Sequence, residues 1–297
     1  MSVLHNLEAG VKITPCFSTI VEAYDFIICD IWGVLHNGIA AFSSANEALK
    51  LSRKSRKTVI LLSNAPRPNP DIAVQLNALG ISPDAYDAIV TSGDITQDLL
   101  RQRVGQSVYL LGPERDLPVL DSIGIQSVPL QKADYVLCTG LFNDEAETPD
   151  DYKTLLNEMI EARLPMLCAN PDLVVERGKT LIYCAGALAE AYIKLGGNVQ
   201  FIGKPFKIAY DYTFQAYFKL HQKMPDKAKT IAIGDAIRTD VKGACQYGIS
   251  SLFLAAGIHS HELLNTQFNL DSARLNAFIT QQDFQPNFIS KNLVWSL

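Results

Sequence analysis

Short apolar runs that stop abruptly at a polar residue, each followed by a stretch with helical spacing, constrain this chain more than any other feature. Residues 25–30 form one such run, and helical periodicity follows over 43–56, with Ser43-Ser44 as N-cap candidates. Residues 58–62 and 88–91 read as further strands, with a helix over 70–79 between them. That strand–helix–strand–helix–strand order implies a parallel sheet with right-handed crossovers. The grammar returns near the other end: strand 199–202, helix 206–221, strand 230–233, helix 239–247 and strand 250–254.

Between these two series, residues 93–197 carry strands of their own (107–111, 135–138, 166–169) and helices over 149–163 and 186–195. The segment is long enough to hold a separate hydrophobic core. The expected fold class is therefore α/β: a Rossmann-like, doubly wound parallel-sheet core from residues 1–92 and 199–297, interrupted by an inserted α/β domain of residues 93–198. No internal repeat or charge block is present, and from about residue 267 the pattern reads as helix and tail.

Composition excludes several function classes. Twenty-six basic against thirty-one acidic residues give a net charge of −5, the wrong sign for a protein whose main partner is nucleic acid. The chain opens without the pattern of a secretory leader and has no apolar run of membrane-spanning length, so a cytoplasmic protein with no membrane partner is expected. Six cysteines, at 16, 29, 138, 168, 184 and 245, form no Cys-x-x-Cys pair. They read as reduced core residues rather than as a zinc site or a disulfide framework.

The polar residues that end the strands carry the chemistry. In an open parallel sheet, ligands sit beyond the carboxyl ends of strands, where backbone N–H groups point outward. Asp30, Ser63, Lys204 and Asp235 all fall at such ends. Asp30 and Asp235 suit one Mg²⁺, which takes few protein carboxylates and keeps waters and phosphate oxygens. Asp240, five residues beyond Asp235 in Gly234-Asp235-Ala236-Ile237-Arg238-Thr239-Asp240, can orient a metal-bound water. Lys204 offers positive charge and Ser63 a hydroxyl to phosphoryl oxygens, and Asp30 can act as a nucleophile through an aspartyl-phosphate. Singly these signals are commonplace, since strand-end aspartates often make turns or helix caps. The four in order, each after an apolar strand, point to a phosphoryl site.

With these residues in place, the chain resembles the haloacid dehalogenase (HAD) superfamily of phosphohydrolases. Within it, the NagD-like subclass of p-nitrophenyl, phosphoglycolate and pyridoxal phosphatases is the best match, over residues 24–257 or so. The four motifs correspond to DIWGVLHNG from Asp30, LLSNAPRP ending at Pro68, IGKP ending at Pro205, and IAIGDAIRTD ending at Asp240. The long gap between the second and third motifs is the arrangement of enzymes with a C2-type cap inserted there. The stretches Ala169-Asn170-Pro171-Asp172 and Ala185-Gly186-Ala187-Leu188 resemble the family's cap.

The resemblance implies that Asp30 is nucleophile and metal ligand, Asp235 a further ligand, Asp240 a supporting carboxylate, and Ser63 and Lys204 phosphate binders. Backbone groups of Trp32, Gly33 and Asn64 would complete the pocket, the Trp32 carbonyl as a metal ligand. Asn170 and Asp172 become candidates for choosing the substrate, with helix capping and turn formation as the plainer alternative. The implied substrate is a small phosphorylated metabolite, and a homodimer through the cap is compatible with the resemblance.

One residue departs from the family pattern. Trp32 stands where these phosphatases carry a second aspartate that protonates the leaving alcohol, and general acid–base help is worth roughly 10²–10⁴ in rate. The preferred expectation is a slow phosphatase, or one selective for good leaving groups. The alternatives are a protein that binds a phosphometabolite without turnover and, more remotely, a dehalogenase-type hydrolase. Trp32 itself can also stack on a planar substrate group or simply pack. His36 is either a substitute base or, in His-Asn-Gly, a turn residue, and the turn is the default.

Overall fold

The computed structural model describes residues 5–6, 10–178 and 180–296. Its strands are β1 (His5–Asn6), β2 (Lys12–Ile13), β3 (Phe26–Cys29), β4 (Thr58–Ser63), β5 (Ala88–Thr91), β6 (Val108–Leu111), β7 (Tyr135–Cys138), β8 (Met166–Cys168), β9 (Val174–Arg177), β10 (Thr180–Tyr183), β11 (Val199–Phe201), β12 (Thr230–Gly234), β13 (Ser250–Leu254) and β14 (Phe288–Ser290). The chain divides into two compact units, one of Met1–Leu62, Val74–Val90 and Tyr210–Leu297, the other of Ser63–Ala73 and Thr91–Ala209.

The first unit is built on a sheet of order β1-β2-β14-β13-β12-β3-β4-β5. Its centre is parallel: β12 pairs with β13 on one side and β3 on the other, and β3 pairs with β4. Every residue of β3, β4 and β12 is buried. Their sequences run apolar without alternation, as strands covered on both faces require. Register then fixes the edge that matters. Cys29 lies opposite Ile233, and the Asp30 N–H donates to the Ile233 carbonyl at 2.9 Å. Asp30 and Asp235 therefore leave neighbouring strands at the same end of the sheet.

Beyond residue 267 a helix forms over Ser272–Thr280, as expected. The tail then adds a strand the pattern does not announce: β14 inserts between β13 and β2. Three residues are too few to show a period, and β14 is specified by its pairing of Phe288 with Leu252 and Ile289 with Phe253. Leu275, Ile279 and Ile289 close a core around Phe253.

The second unit has a four-stranded parallel sheet of order β11-β8-β7-β6 and a β9–β10 hairpin. Its own core gathers Leu111, Val136, Tyr152, Met159, Met166, Leu188 and Tyr192. Here the structure differs from the sequence expectation. Residues 199–202 read as the return to the first sheet, yet β11 pairs with β8 at the edge of the second sheet. A strand with Gln200 exposed between two half-buried neighbours is an edge strand, and nothing in its own three residues names its sheet. The sequence expectation places no helix over Ser92–Arg101, where the structure has one. It is opened by a reciprocal capping box between Thr91 and Asp94.

All six cysteines are free, and all but Cys245 are buried. Among the described residues, no helix is long and apolar enough to cross a membrane.

Candidate active site

In the first unit, Asp30, Asp235 and Asp240 each present a carboxylate oxygen within 4.8 Å of the others. Local geometry explains how. The Ile31 N–H donates to Asp30 Oδ1 at 2.7 Å, which sets the direction of that carboxylate. Asp235 follows the last residue of β12, and its Oδ2 accepts the Ile258 N–H at 2.8 Å. Residues Ile237–Val241 then form a π-helical turn, a wide turn common at functional sites. It brings Asp240 back so that Oδ2 accepts the Ala236 N–H at 3.2 Å.

Three glycines make room for these side chains. A Cβ at Gly33, where φ is +81°, would lie 2.0 Å from Asp235 Oδ2, and one at Gly257 would lie 2.1 Å from the same oxygen. A Cβ at Gly234 would lie 2.0 Å from Asp240 Cγ. No other residue fits at these positions while the carboxylates stay where they are.

Three ionised carboxylates so close repel one another by on the order of 3 kcal/mol per pair at an effective dielectric of about 20. A cation between them removes that cost. The donors are all hard oxygens in a cradle closed by glycine, which fits a small hard cation such as Mg²⁺. Asp235 and Asp240 are buried and Asp30 is half-buried, so the charges are only partly solvated.

Past Asp30 the chain makes one helical turn, with Leu35 N–H to the Ile31 carbonyl, and then a short hairpin closed by a bridge between His36 and Ala41. His36 is buried, and its Nδ1 accepts the Gly38 N–H at 3.0 Å. Its ring stands edge-on to the Trp32 indole, centroids 5.0 Å apart. The histidine is thus a turn residue that backs the tryptophan.

In the second unit, Ser63, Asn64, Asp172 and Lys204 come together around Asn64. Asn64 Oδ1 accepts the Lys204 N–H at 2.7 Å, and its Nδ2 donates to the Lys204 carbonyl at 3.2 Å and to Asp172 Oδ1 at 3.0 Å. Ser63 Oγ accepts the Ala65 N–H at 3.1 Å, which leaves its own hydrogen to donate. Asn170 Oδ1 accepts the Asp172 N–H at 3.1 Å, a turn-forming contact. Ser63, Asn64 and Lys204 are all buried. The Asn64 side chain is the feature that sequence reasoning missed, having given the residue a backbone role only.

Residues 27–126 match a family described as haloacid dehalogenase-like hydrolase, and residues 201–280 match one described as HAD-hydrolase-like. A crystal structure of a hydrolase of the haloacid dehalogenase-like family from Brucella suis 1330 is 38% identical, covering 95% of this chain and 100% of that one, with a TM-score of 0.84. The chain belongs to the haloacid dehalogenase-like hydrolases. Two curated relatives are more distant. Ribonucleotide monophosphatase NagD from Escherichia coli K12 is 25% identical, covering 79% of this chain and 88% of that protein. An acid sugar phosphatase from Staphylococcus saprophyticus is 22% identical, covering 82% and 90%. They place this HAD hydrolase in the NagD-like subclass.

Proposed function

We propose that this hydrolase is a Mg²⁺-dependent phosphatase acting on a small phosphorylated metabolite through an aspartyl-phosphate on Asp30. The carrying observation is the three-carboxylate cluster, in which Asp30 is oriented by its neighbour's N–H while Asp235 and Asp240 are seated against glycine. The two relatives named as phosphatases support hydrolysis of a phosphate ester. Asp30, Asp235 and the Trp32 carbonyl would hold the ion, with Asp240 supporting. Bound there, Mg²⁺ would neutralise charge on the phosphoryl oxygens.

A carboxylate oxygen of Asp30 forms the bond to phosphorus as the ester oxygen departs, and water later cleaves the acyl phosphate to regenerate Asp30. Lys204 and Ser63 are assigned the charge and the hydroxyl that phosphoryl oxygens need. Tryptophan cannot hand the departing oxygen a proton. The enzyme therefore favours esters whose alcohol leaves as a stable anion, such as a phenolate. His36 is read as the turn residue, its Nδ1 accepting the Gly38 N–H and its ring edge-on to Trp32, and it is assigned no part in proton transfer.

The test is a screen of phosphate esters with Mg²⁺, run on the wild type beside Asp30→Asn. p-Nitrophenyl phosphate should be turned over by the wild type and only at background by Asp30→Asn. Undiminished turnover in the variant would remove Asp30 as nucleophile. A wild type that hydrolyses nothing, yet melts higher with one phosphate ester, would be a binding protein instead.

A further inference from the structure

The three hydrogen bonds of Asn64 settle which way its amide faces. With Oδ1 on the Lys204 N–H, Nδ2 must meet acceptors, and it meets the Lys204 carbonyl and the Asp172 carboxylate. One side chain thus grips both backbone groups of Lys204, as a neighbouring strand would. The surroundings leave the amide little freedom. Gly203 has a φ of +129°, and a Cβ there would lie 2.5 Å from Asn64 Oδ1.

Asp172 is held as tightly. Its N–H donates to Asn170, and its carbonyl accepts the Gly186 N–H at 3.1 Å. A Cβ at Gly186 would lie 2.4 Å from that carbonyl, so the start of the helix Ala185–Lys194 sits directly on the Asp172 backbone. A continuous set of contacts therefore runs from this helix through Asp172 and Asn64 to Lys204.

We infer that Asn64 and Asp172 are positioning residues for Lys204: the Asp172 carboxylate orients the Asn64 amide, and Asn64 fixes the backbone from which the lysine presents its charge. This rests on the phosphatase function proposed above. A lysine ammonium is a point charge on a flexible four-carbon stem, so the root of that stem decides where the charge can be. A displacement of about 1 Å in a catalytic group costs on the order of 10² in rate. Asp172 then acts through Lys204 and not by choosing the substrate.

The experiment joins kinetics to amide exchange in the full-length protein. In ¹⁵N-lysine-labelled protein, the Lys204 signal is the one lost in Lys204→Arg. Asn64→Ala should speed exchange of the Lys204 amide and lower kcat by about 10²-fold with little change in KM. Asp172→Ala should lower kcat by roughly tenfold, the equivalent of one hydrogen bond, by the same factor for p-nitrophenyl phosphate, a sugar phosphate and a nucleoside monophosphate. Asn64→Asp keeps the acceptor for Lys204 but sets two carboxylates against each other, and should be as damaging as Asn64→Ala. Adding Asp172→Asn to it exchanges donor and acceptor and should recover roughly tenfold.

Asp172→Ala with unchanged turnover and unchanged Lys204 exchange would overturn the inference. So would a loss that differs more than about tenfold between substrates, since that marks a direct substrate contact. Should the wild type hydrolyse no ester, the function fails and the exchange measurements still decide whether the clamp exists.

Discussion

Trp32 is held, not merely tolerated. Its indole meets the buried His36 ring edge-on, and that ring is pinned by the Gly38 N–H. The hairpin after β3 is thus built around an aromatic side chain and not around a proton donor. Trp32→Asp should raise turnover of an alkyl phosphate relative to p-nitrophenyl phosphate, by up to roughly 10²–10⁴ if proton transfer to the leaving group limits the rate. The ratio of kcat values for the two substrates measures it. A folded variant with an unchanged ratio would show that another step is limiting. At this scale the carboxylates were legible, because the spacing of Asp235 and Asp240 is itself the signal. The steric role of the glycines around them was not, since Gly33 reads from the sequence only as a backbone group of the pocket. What Gly33 and Gly257 do depends on a carboxylate contributed from elsewhere in the chain, and no local pattern records such an approach.

Elements were legible where one period runs through them. β13 falls on the residues expected, but the helix expected over 239–247 opens as the π-helical turn Ile237–Val241 before becoming α over Lys242–Tyr247. That widening follows from the Asp240 carboxylate folding back on the Ala236 N–H, a bond invisible to hydrophobic spacing. A second turn carries a measurable consequence. The 3₁₀ turn Glu114–Asp116 after β6 buries the Asp116 carboxyl. Burial pushes its pKa up to about 6 from the ordinary 3.8, while Arg115 and Arg67 pull it back down. The folded chain therefore holds this proton more tightly than the unfolded chain does. The contribution of this one group to stability is greatest below about pH 4 and falls as pH rises toward 6, by on the order of 3 kcal/mol, after which it levels off. Asp116→Asn should gain on the wild type in urea unfolding between pH 4 and pH 7. A difference that stays flat across that range would show that the carboxyl titrates alike in both states.

For the molecule as a whole, the α/β class and the presence of a second packed unit were readable from alternating runs. The membership of β11 was not, because sheet assignment is decided by pairing partners and not by the strand itself. All three clustered carboxylates lie in the first unit, so an ion held among them stabilises that unit against unfolding. At a hundredfold excess over its dissociation constant, Mg²⁺ should contribute about 2.7 kcal/mol, a rise of roughly 5–10 °C in melting temperature for a unit of this size. Calorimetry with Mg²⁺ and then with EDTA should show the rise and its loss, and Asp240→Asn should blunt it. No response in the wild type would mean that the cluster holds no cation. The order of strands in the first sheet also sets a timetable. β3 lies between β4 and β12, and β12 begins some two hundred residues after β3. During synthesis on the ribosome, the segments of the second unit, ending at Ala209, have all been made before β12 exists. The smaller sheet can close early, while β3 and β4 wait with an unpaired edge until the last quarter of the chain emerges, a window in which a chaperone has most to do.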